Sequence, residues 1–370
     1  MLKIAIVGCG KIADEHARQV QRIAGSQLVA FLDAEPLMAK QMHERFAGTK
    51  PYADLDQMLS EAKPDVVHIT TPPTSHYATA LRCIEAGCHV FVEKPFTMDS
   101  LEATKLLDAA RRRNVKVCVD HNYQFTDPAV RMRELVAGGY LGGAPVHIES
   151  YYCYDLGDPT YAKAFLTDTS HWVRSLPGGL LQNIISHGIC RIAEFMQSDD
   201  PEVTAHGATS PLLRSLGETS IVDELRVVVR DESTTAFFTF SSQMRPQCMQ
   251  LRLFGPKNGL LLDDDHHTLI KLDGKKHKSY LQNFIPPAAL SYQLMANALG
   301  NVRKFVTGRL NMNEGMRGLI ERFYRSIADD QPLPISYREI ILTQRIMDSI
   351  LDQLNRKASR QDVLQHASRG

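Results

Sequence analysis

The first 120 residues repeat one phrase, a short β-branched or apolar run followed by a longer amphipathic stretch. The runs are KIAIVG, QLVAFLD, DVVHIT, HVFVEKP and VKVCVD. Helical patterns fall between them: Asp14 to Ile23, Ser75 to Ala86 closed by Gly87, and Ser100 to Arg113 behind a capping Asp99. Few folds suit that alternation. Strands buried on both faces pair in parallel, and connections of this length hold crossover helices, so the segment reads as a Rossmann-type, doubly wound α/β sheet.

At TDPAV the pattern changes, because Asp127 suits an N-cap and Pro128 the first turn of a bridging helix. The boundary is expected there, with a dinucleotide-binding domain over 1–124 and an α+β domain over 125–370. Beyond it, PVHIESYYCYD, EVTAHGATS, DELRVVVRD, TTAFFTFSSQM, QCMQLRLFG and GLLLDDD follow one another without helices, which predicts a large, open, mainly antiparallel sheet. Helical periodicity returns in ALSYQLMANALGNVRKFV, EGMRGLIERFYRSIADD and SYREIILTQRIMDSILDQLN.

Composition narrows the function classes. Forty-two basic residues balance 42 acidic ones, which removes the electrostatic case for a nucleic-acid or membrane-surface partner. Seven scattered cysteines without a CxxC spacing point to reduced thiols in a cytoplasmic protein, not to a zinc or disulfide framework. The chain opens almost at once on a strand-like run, leaving no room for a leader, and no apolar run reaches membrane-spanning length.

GCGKIADEH carries Gly8, Gly10 and Ala13 directly after the first strand, with Lys11 and Ile12 on the turn between them. Gly8 permits a sharp turn, Gly10 leaves room for a pyrophosphate, and Ala13 keeps the helix close to the sheet. Twenty residues after Ala13, Asp33 ends the second run. A carboxylate there accepts hydrogen bonds from the ribose hydroxyls and repels a 2′-phosphate, and neither Ala34 nor Glu35 supplies a compensating cation, so NAD is favoured over NADP.

TTPPTSHYATA from Thr70, EKPFTMD from Glu93 and HNYQF from His121, taken with GCGKIA, give a sequence that resembles the Gfo/Idh/MocA oxidoreductases. That family oxidises or reduces sugars, inositols and related polyols with a nicotinamide cofactor. The resemblance implies that Lys94 is an active-site lysine beside the nicotinamide, that Pro95 is a cis-proline, and that Glu93 lies near the nicotinamide ribose. It places Thr71 and Pro72 along the adenosine and pyrophosphate. His76 is either a cofactor contact or a capping and packing residue. Asn122 is placed to hydrogen-bond the carboxamide or a sugar hydroxyl.

In GGLLQNIISHG, from Gly178, the resemblance sets Asn183 where family members carry an aspartate and His187 where they carry a histidine. Asn183 cannot ionise, so proton transfer falls on Lys94 or His187, with the alternative that Asn183 and His187 are packing residues of an apolar helix. Tyr154, Trp172 and Arg174 fit a carbohydrate pocket, Arg174 as partner to an anionic group on the substrate. DDDHH, from Asp263, reads as a charged hairpin tip with no metal. The expected function is hydride transfer between a sugar or sugar-nucleotide carbon and NAD. Rival readings are an NAD-dependent glycoside hydrolase of the same architecture and a non-catalytic dinucleotide-binding sensor. A homodimer or homotetramer is expected, formed through an apolar open face of the second sheet.

Overall fold

The structure is a computed structural model that describes the chain except residues 154, 157–165, 167, 169, 309, 311–312 and 368–370, with side chains described up to 356. The chain divides into two compact units, Met1–Thr126 with Met312–Gln344, and Asp127–Asn311 with Arg345–Gly370.

The first unit is built on six parallel strands, β1 (Leu2–Val7), β2 (Ser26–Leu32), β3 (Lys50–Tyr52), β4 (Val66–Ile69), β5 (His89–Val92) and β6 (Val117–Val119), in the order β3-β2-β1-β4-β5-β6. The crossovers are α1 (Lys11–Gln21), α2 (Pro36–Arg45), α3 (Leu55–Ala62), α4 (His76–Glu85) and α5 (Ser100–Arg113). Every residue of β4 is buried, as a strand covered on both faces must be. The helix α5 starts where its cap predicts, with the Asp99 carboxylate accepting from Glu102 N at 2.8 Å. β3 has no counterpart among the expected strands, because its three residues, Lys-Pro-Tyr at the sheet edge, make no β-branched run.

The expected second domain of 125–370 differs from the observed division, since residues 312–344 cluster with the first unit. Helix α11 (Glu314–Ala328) buries Met316, Leu319, Ile320, Phe323 and Tyr324 in that unit's core. Its approach depends on a missing side chain. A Cβ at Gly315 would stand 2.2 Å from the Asn122 carbonyl oxygen. Lys116 Nζ then donates to the carbonyls of Ser326 and of Gln331, the latter at 2.9 Å, at the carboxyl end of the helix.

The second unit carries seven strands, β7 (His147–Cys153), β8 (Glu202–Ala208), β9 (Glu224–Arg230), β10 (Thr235–Ser241), β11 (Cys248–Phe254), β12 (Gly259–Asp263) and β13 (Thr268–Leu272), ordered β13-β12-β11-β7-β10-β9-β8. All neighbours are antiparallel except β7 and β10, which pair in parallel. Helix α7 (Gly179–Ile184) leads into α8 (Ser186–Ala193), which packs on β7 and β10. A Cβ on Gly188 would fall 2.1 Å from Phe238 Cε2, and Ser150 Oγ donates to the Gly188 carbonyl at 3.0 Å. The other face is less apolar than expected. It carries Glu149, with Arg252 pairing to it at 3.3 Å and lying over the Tyr151 ring. At the sheet edge, α10 (Ile285–Val306) lies beside β13, where Gln293 and Asn297 bond its backbone in both directions.

Candidate active site

The turn from β1 into α1 is three residues long, and its two glycines have different reasons for being there. Gly8 has φ +90°, and a Cβ on it would lie 2.7 Å from Thr71 N. Gly10 has an ordinary φ of −75°, and its Cβ would meet nothing within 4 Å. The space Gly10 leaves lies before the α1 amino terminus, where no side chain caps the free N–H groups, so an anion is favoured there. A cavity of about 270 Å³ opens in front, lined by Gly10, Lys11, Asp14, Met42 and Arg45 among others. Lys11 and Ile12 are both exposed. At the end of β2 the Asp33 carboxylate accepts from Cys9 N at 2.6 Å and from Glu35 N at 2.9 Å, which fixes it beside the glycine turn. Burial, with Asp33 nearby, pushes the Cys9 thiol up to about 12, leaving it a neutral packing group. A pocket for phosphates followed by a fixed carboxylate fits a dinucleotide.

The next two connections are tied together by His76. Its Nδ1 lies 2.8 Å from the Pro95 carbonyl and its Nε2 2.9 Å from the Thr71 carbonyl, and the ring is wholly buried. Burial lowers its basicity despite these carbonyl contacts. Of the two roles open to His76, the geometry gives it the packing one: it holds the Thr71-Pro72 loop against the cis Lys94–Pro95 peptide, and both nitrogens are occupied by backbone. Thr71 is half-buried and Pro72 exposed.

Behind Lys94 lies a buried polar chain that the motifs do not reveal. The Glu93 carboxylate receives Lys94 N at 3.1 Å and stands 2.9 Å from His16 Nε2. His16 Nδ1 is 2.8 Å from His68 Nδ1, and His68 Nε2 is 2.8 Å from the Tyr324 hydroxyl. With one proton on each ring, a single order of donors serves all three contacts: Tyr324 O–H to His68, His68 Nδ1–H to His16, and His16 Nε2–H to Glu93. Asp120, at the end of β6, completes the cluster by hydrogen-bonding Glu93. Two carboxyls in contact hold one proton between them. Burial and then Glu93 push the Asp120 carboxyl well up, whereas at Glu93 the His16 ring, Lys94 and Asp120 outweigh burial and hold the group at about 2. Burial pushes the Lys94 ammonium below its ordinary value while Glu93 and Asp120 pull it back. Burial likewise takes His121 down to about 3. Asn122 opens the short turn Asn122–Phe125, and its Oδ1 is buried with no hydrogen-bond partner among the described residues.

Gly8, Asp33, Thr71, Glu93 and Lys94 thus all follow the last residues of β1, β2, β4 and β5, at the carboxyl edge where open parallel sheets bind ligands. In the second unit, Asn183 and His187 lie four residues apart across the α7–α8 junction. Asn183 is half-buried among fully buried neighbours, and the buried His187 ring lies 5.3 Å from that of Tyr152. Trp172 is 40% exposed and stacks on His171. Arg174, expected to meet an anion on the substrate, is instead paired with Glu218 at 2.9 Å, and Ser220 and Arg174 overcome partial burial to hold that carboxyl at about 2. Tyr154 lies outside the described residues. The DDDHH segment is the end of β12 and its connection to β13, with the Asp264 side chain in an ion pair with Arg191 at 2.6 Å.

Comparison with known proteins agrees with this geometry. Residues 2–121 match the Gfo/Idh/MocA oxidoreductase family, with its NAD-binding Rossmann fold. D-glucoside 3-dehydrogenase of Escherichia coli K12 is 34% identical over 142 residues, which is 38% of this chain and 40% of that protein. Myo-inositol 2-dehydrogenase of Thermotoga maritima is 20% identical over 353 residues, 92% of this chain and all of the relative. Among solved structures, the WlbA dehydrogenase of Bordetella pertussis, determined with NADH and UDP-GlcNAcA, superposes with a TM-score of 0.72 at 17% identity, covering 94% of each chain, a likeness of fold. With the glycine turn, the Asp33 carboxylate and the Glu93-Lys94-Pro95 edge in one parallel sheet, residues 2–121 are a NAD-binding Rossmann domain that matches the Gfo/Idh/MocA oxidoreductase family.

Proposed function

We propose that the chain is an NAD-dependent dehydrogenase that moves a hydride between nicotinamide and a hydroxyl-bearing carbon of a sugar or sugar nucleotide, with Lys94 and His187 handling the proton. The observation that carries the reading is Lys94. It stands at the carboxyl end of β5 beside an ionised Glu93, and burial has weakened its hold on its proton. Oxidation of an alcohol requires the hydroxyl oxygen to give up its proton as the hydride leaves, and a lysine of lowered basicity takes it more readily at neutral pH. Bound at the glycine turn, NAD supplies the hydride acceptor. The fixed Asp33 carboxylate favours NAD over NADP through repulsion of a 2′-phosphate. Asn122 and Asn183 position hydroxyls as neutral donors and acceptors. The relatives named for dehydrogenation of a D-glucoside and of myo-inositol favour this substrate class.

Single-turnover absorbance with a panel of sugars and sugar nucleotides tests the assignment. Lys94→Ala and His187→Ala should each slow reduction of bound NAD by about 10²–10⁴-fold while NAD affinity changes only a few-fold. Undiminished reduction in both variants would remove the proposed proton handling. Turnover of a glycoside without net NADH would replace the dehydrogenase reading with the hydrolase.

A further inference from the structure

The Tyr324 hydroxyl has a single hydrogen-bond partner among the described residues, His68 Nε2 at 2.8 Å. A buried phenol must place its proton on an acceptor, and that nitrogen is the one within reach, so Tyr324 donates and His68 Nε2 is bare. The remaining protons are then fixed in turn. His68 keeps its proton on Nδ1 and donates it to His16 Nδ1 at 2.8 Å, which leaves His16 with its proton on Nε2, aimed at Glu93 at 2.9 Å. Burial, and then the neighbouring His16 ring, push His68 well below its ordinary value, which limits it to one proton. Packing holds both rings in place. His68 stacks on Phe91 with centroids 4.8 Å apart, and His16 meets His68 and Phe91 edge-on at 5.1 and 5.7 Å.

We infer that Tyr324 is a positioning residue whose hydroxyl acts through His68 and His16 to keep the negative charge of the buried carboxyl pair on Glu93, beside Lys94, and the shared proton on Asp120. The opposite order conserves every proton. His68 would carry its proton on Nε2, His16 would donate from Nδ1 to His68, and the bare His16 Nε2 would accept from a Glu93 carboxyl that had taken its proton from Asp120. Charge would pass from Glu93 to Asp120 with nothing entering or leaving the cluster. The Tyr324 proton opposes that order, because it would face an N–H and lose its acceptor. Glu93 is faced by His16 from α1, His68 from β4, His76 from α4, and Asp120 and His121 from the stretch after β6, with Lys94 adjoining it. The consequence for rate rests on the dehydrogenase reading: burial weakens the hold of Lys94 on its proton, and Glu93, ahead of Asp120, restores part of it.

The test is heteronuclear NMR of the full chain, reading the histidine ring nitrogens and the carboxyl carbons of Glu93 and Asp120, in the wild type and in Tyr324→Phe, which keeps the ring and removes the hydroxyl. The wild type should show His68 protonated on Nδ1, His16 on Nε2, Glu93 ionised and Asp120 protonated. In Tyr324→Phe the opposite ring tautomers should become at least about tenfold more populated, with the Glu93 carboxyl moving toward its protonated position. Reversed tautomers in the wild type would overturn the inference, and that measurement stands even if the variant does not fold. Unchanged rings and carboxyls in a folded variant would overturn it too. In single turnover, reduction of bound NAD should rise with pH as Lys94 sheds its proton, and in Tyr324→Phe that limb should move to lower pH by about half a unit or more, because the charge that helps Lys94 keep its proton has moved away. An unmoved limb beside altered tautomers would remove the positioning role. A wild type that reduces no cofactor with any sugar would sink the dehydrogenase reading alone, since the NMR measurements need no turnover.

Discussion

A methyl group on Gly8 would have to share space with the Thr71 backbone at a left-handed φ, whereas the same group on Gly10 would meet no protein atom at all. The first glycine therefore serves the fold, while the second leaves open space ahead of the α1 amino terminus. Gly8→Ala should cost about 2–4 kcal/mol of stability, measured by urea denaturation, because both backbone strain and a backbone clash oppose it. Gly10→Ala should leave the denaturation midpoint in place and weaken NAD binding by about tenfold, near 1.4 kcal/mol, read by calorimetry. An equal loss of stability in both variants would contradict the division of roles. At this scale the placement of residues at the carboxyl edge of the sheet was legible, since Gly8, Gly10, Asp33, Glu93 and Lys94 sit in short local patterns. The supports behind them were not. His16 finds His68 at a separation of 52 residues, and His68 finds Tyr324 at 256, distances at which no spacing rule operates. A signal for His16 did exist, because it shares the Ala13, Ala17 and Val20 face of α1 and so had to be buried. The Glu218 partner of Arg174 was out of reach for a similar reason, since it lies 44 residues away.

Elements with strong caps or long periodicity were readable, as the match of α5 to its Asp99 cap shows. Short strands were read unevenly: β6 and β12 were found, whereas β3 and β13, of the same lengths, were both missed. The apolar period of α11 announced a helix but not its address. That address depends on Gly315, whose bare backbone lies against the Asn122 carbonyl, and on Gly318, next to the Phe125 carbonyl. Gly315→Ala should destabilise by about 1–3 kcal/mol, because a carbonyl cannot swing aside as a flexible side chain does. Gly300→Ala on α10 is the contrasting case. No atom lies within 4 Å of its would-be Cβ, so helix propensity alone acts and should add up to about 1 kcal/mol. Thermal unfolding of the two variants should show shifts of opposite sign.

For the molecule as a whole, the chain passes from one unit to the other after residues 126, 311 and 344. A contiguous boundary is what a sequence scan naturally returns, since local grammar changes once, near Asp127, and contains no notice of a return. The return is nonetheless built into the first unit's core, which takes Leu319, Ile320, Phe323, Ile335 and Ile340 from the late segment. An isolated 1–126 fragment should therefore lack a cooperative unfolding transition and bind hydrophobic dye, whereas the same fragment joined by a flexible linker to 312–344 should unfold cooperatively. A cooperative transition in the short fragment would show that α11 is dispensable to the core.

That return also sets a clock during synthesis. At about 5–20 residues per second, the ribosome needs roughly 10–40 s to travel from the end of the first stretch to residue 344. Throughout that interval the nascent sheet must wait with the surface destined for Phe323 and Tyr324 uncovered, so the last contributions to the nucleotide end arrive only after the whole seven-stranded sheet has been made.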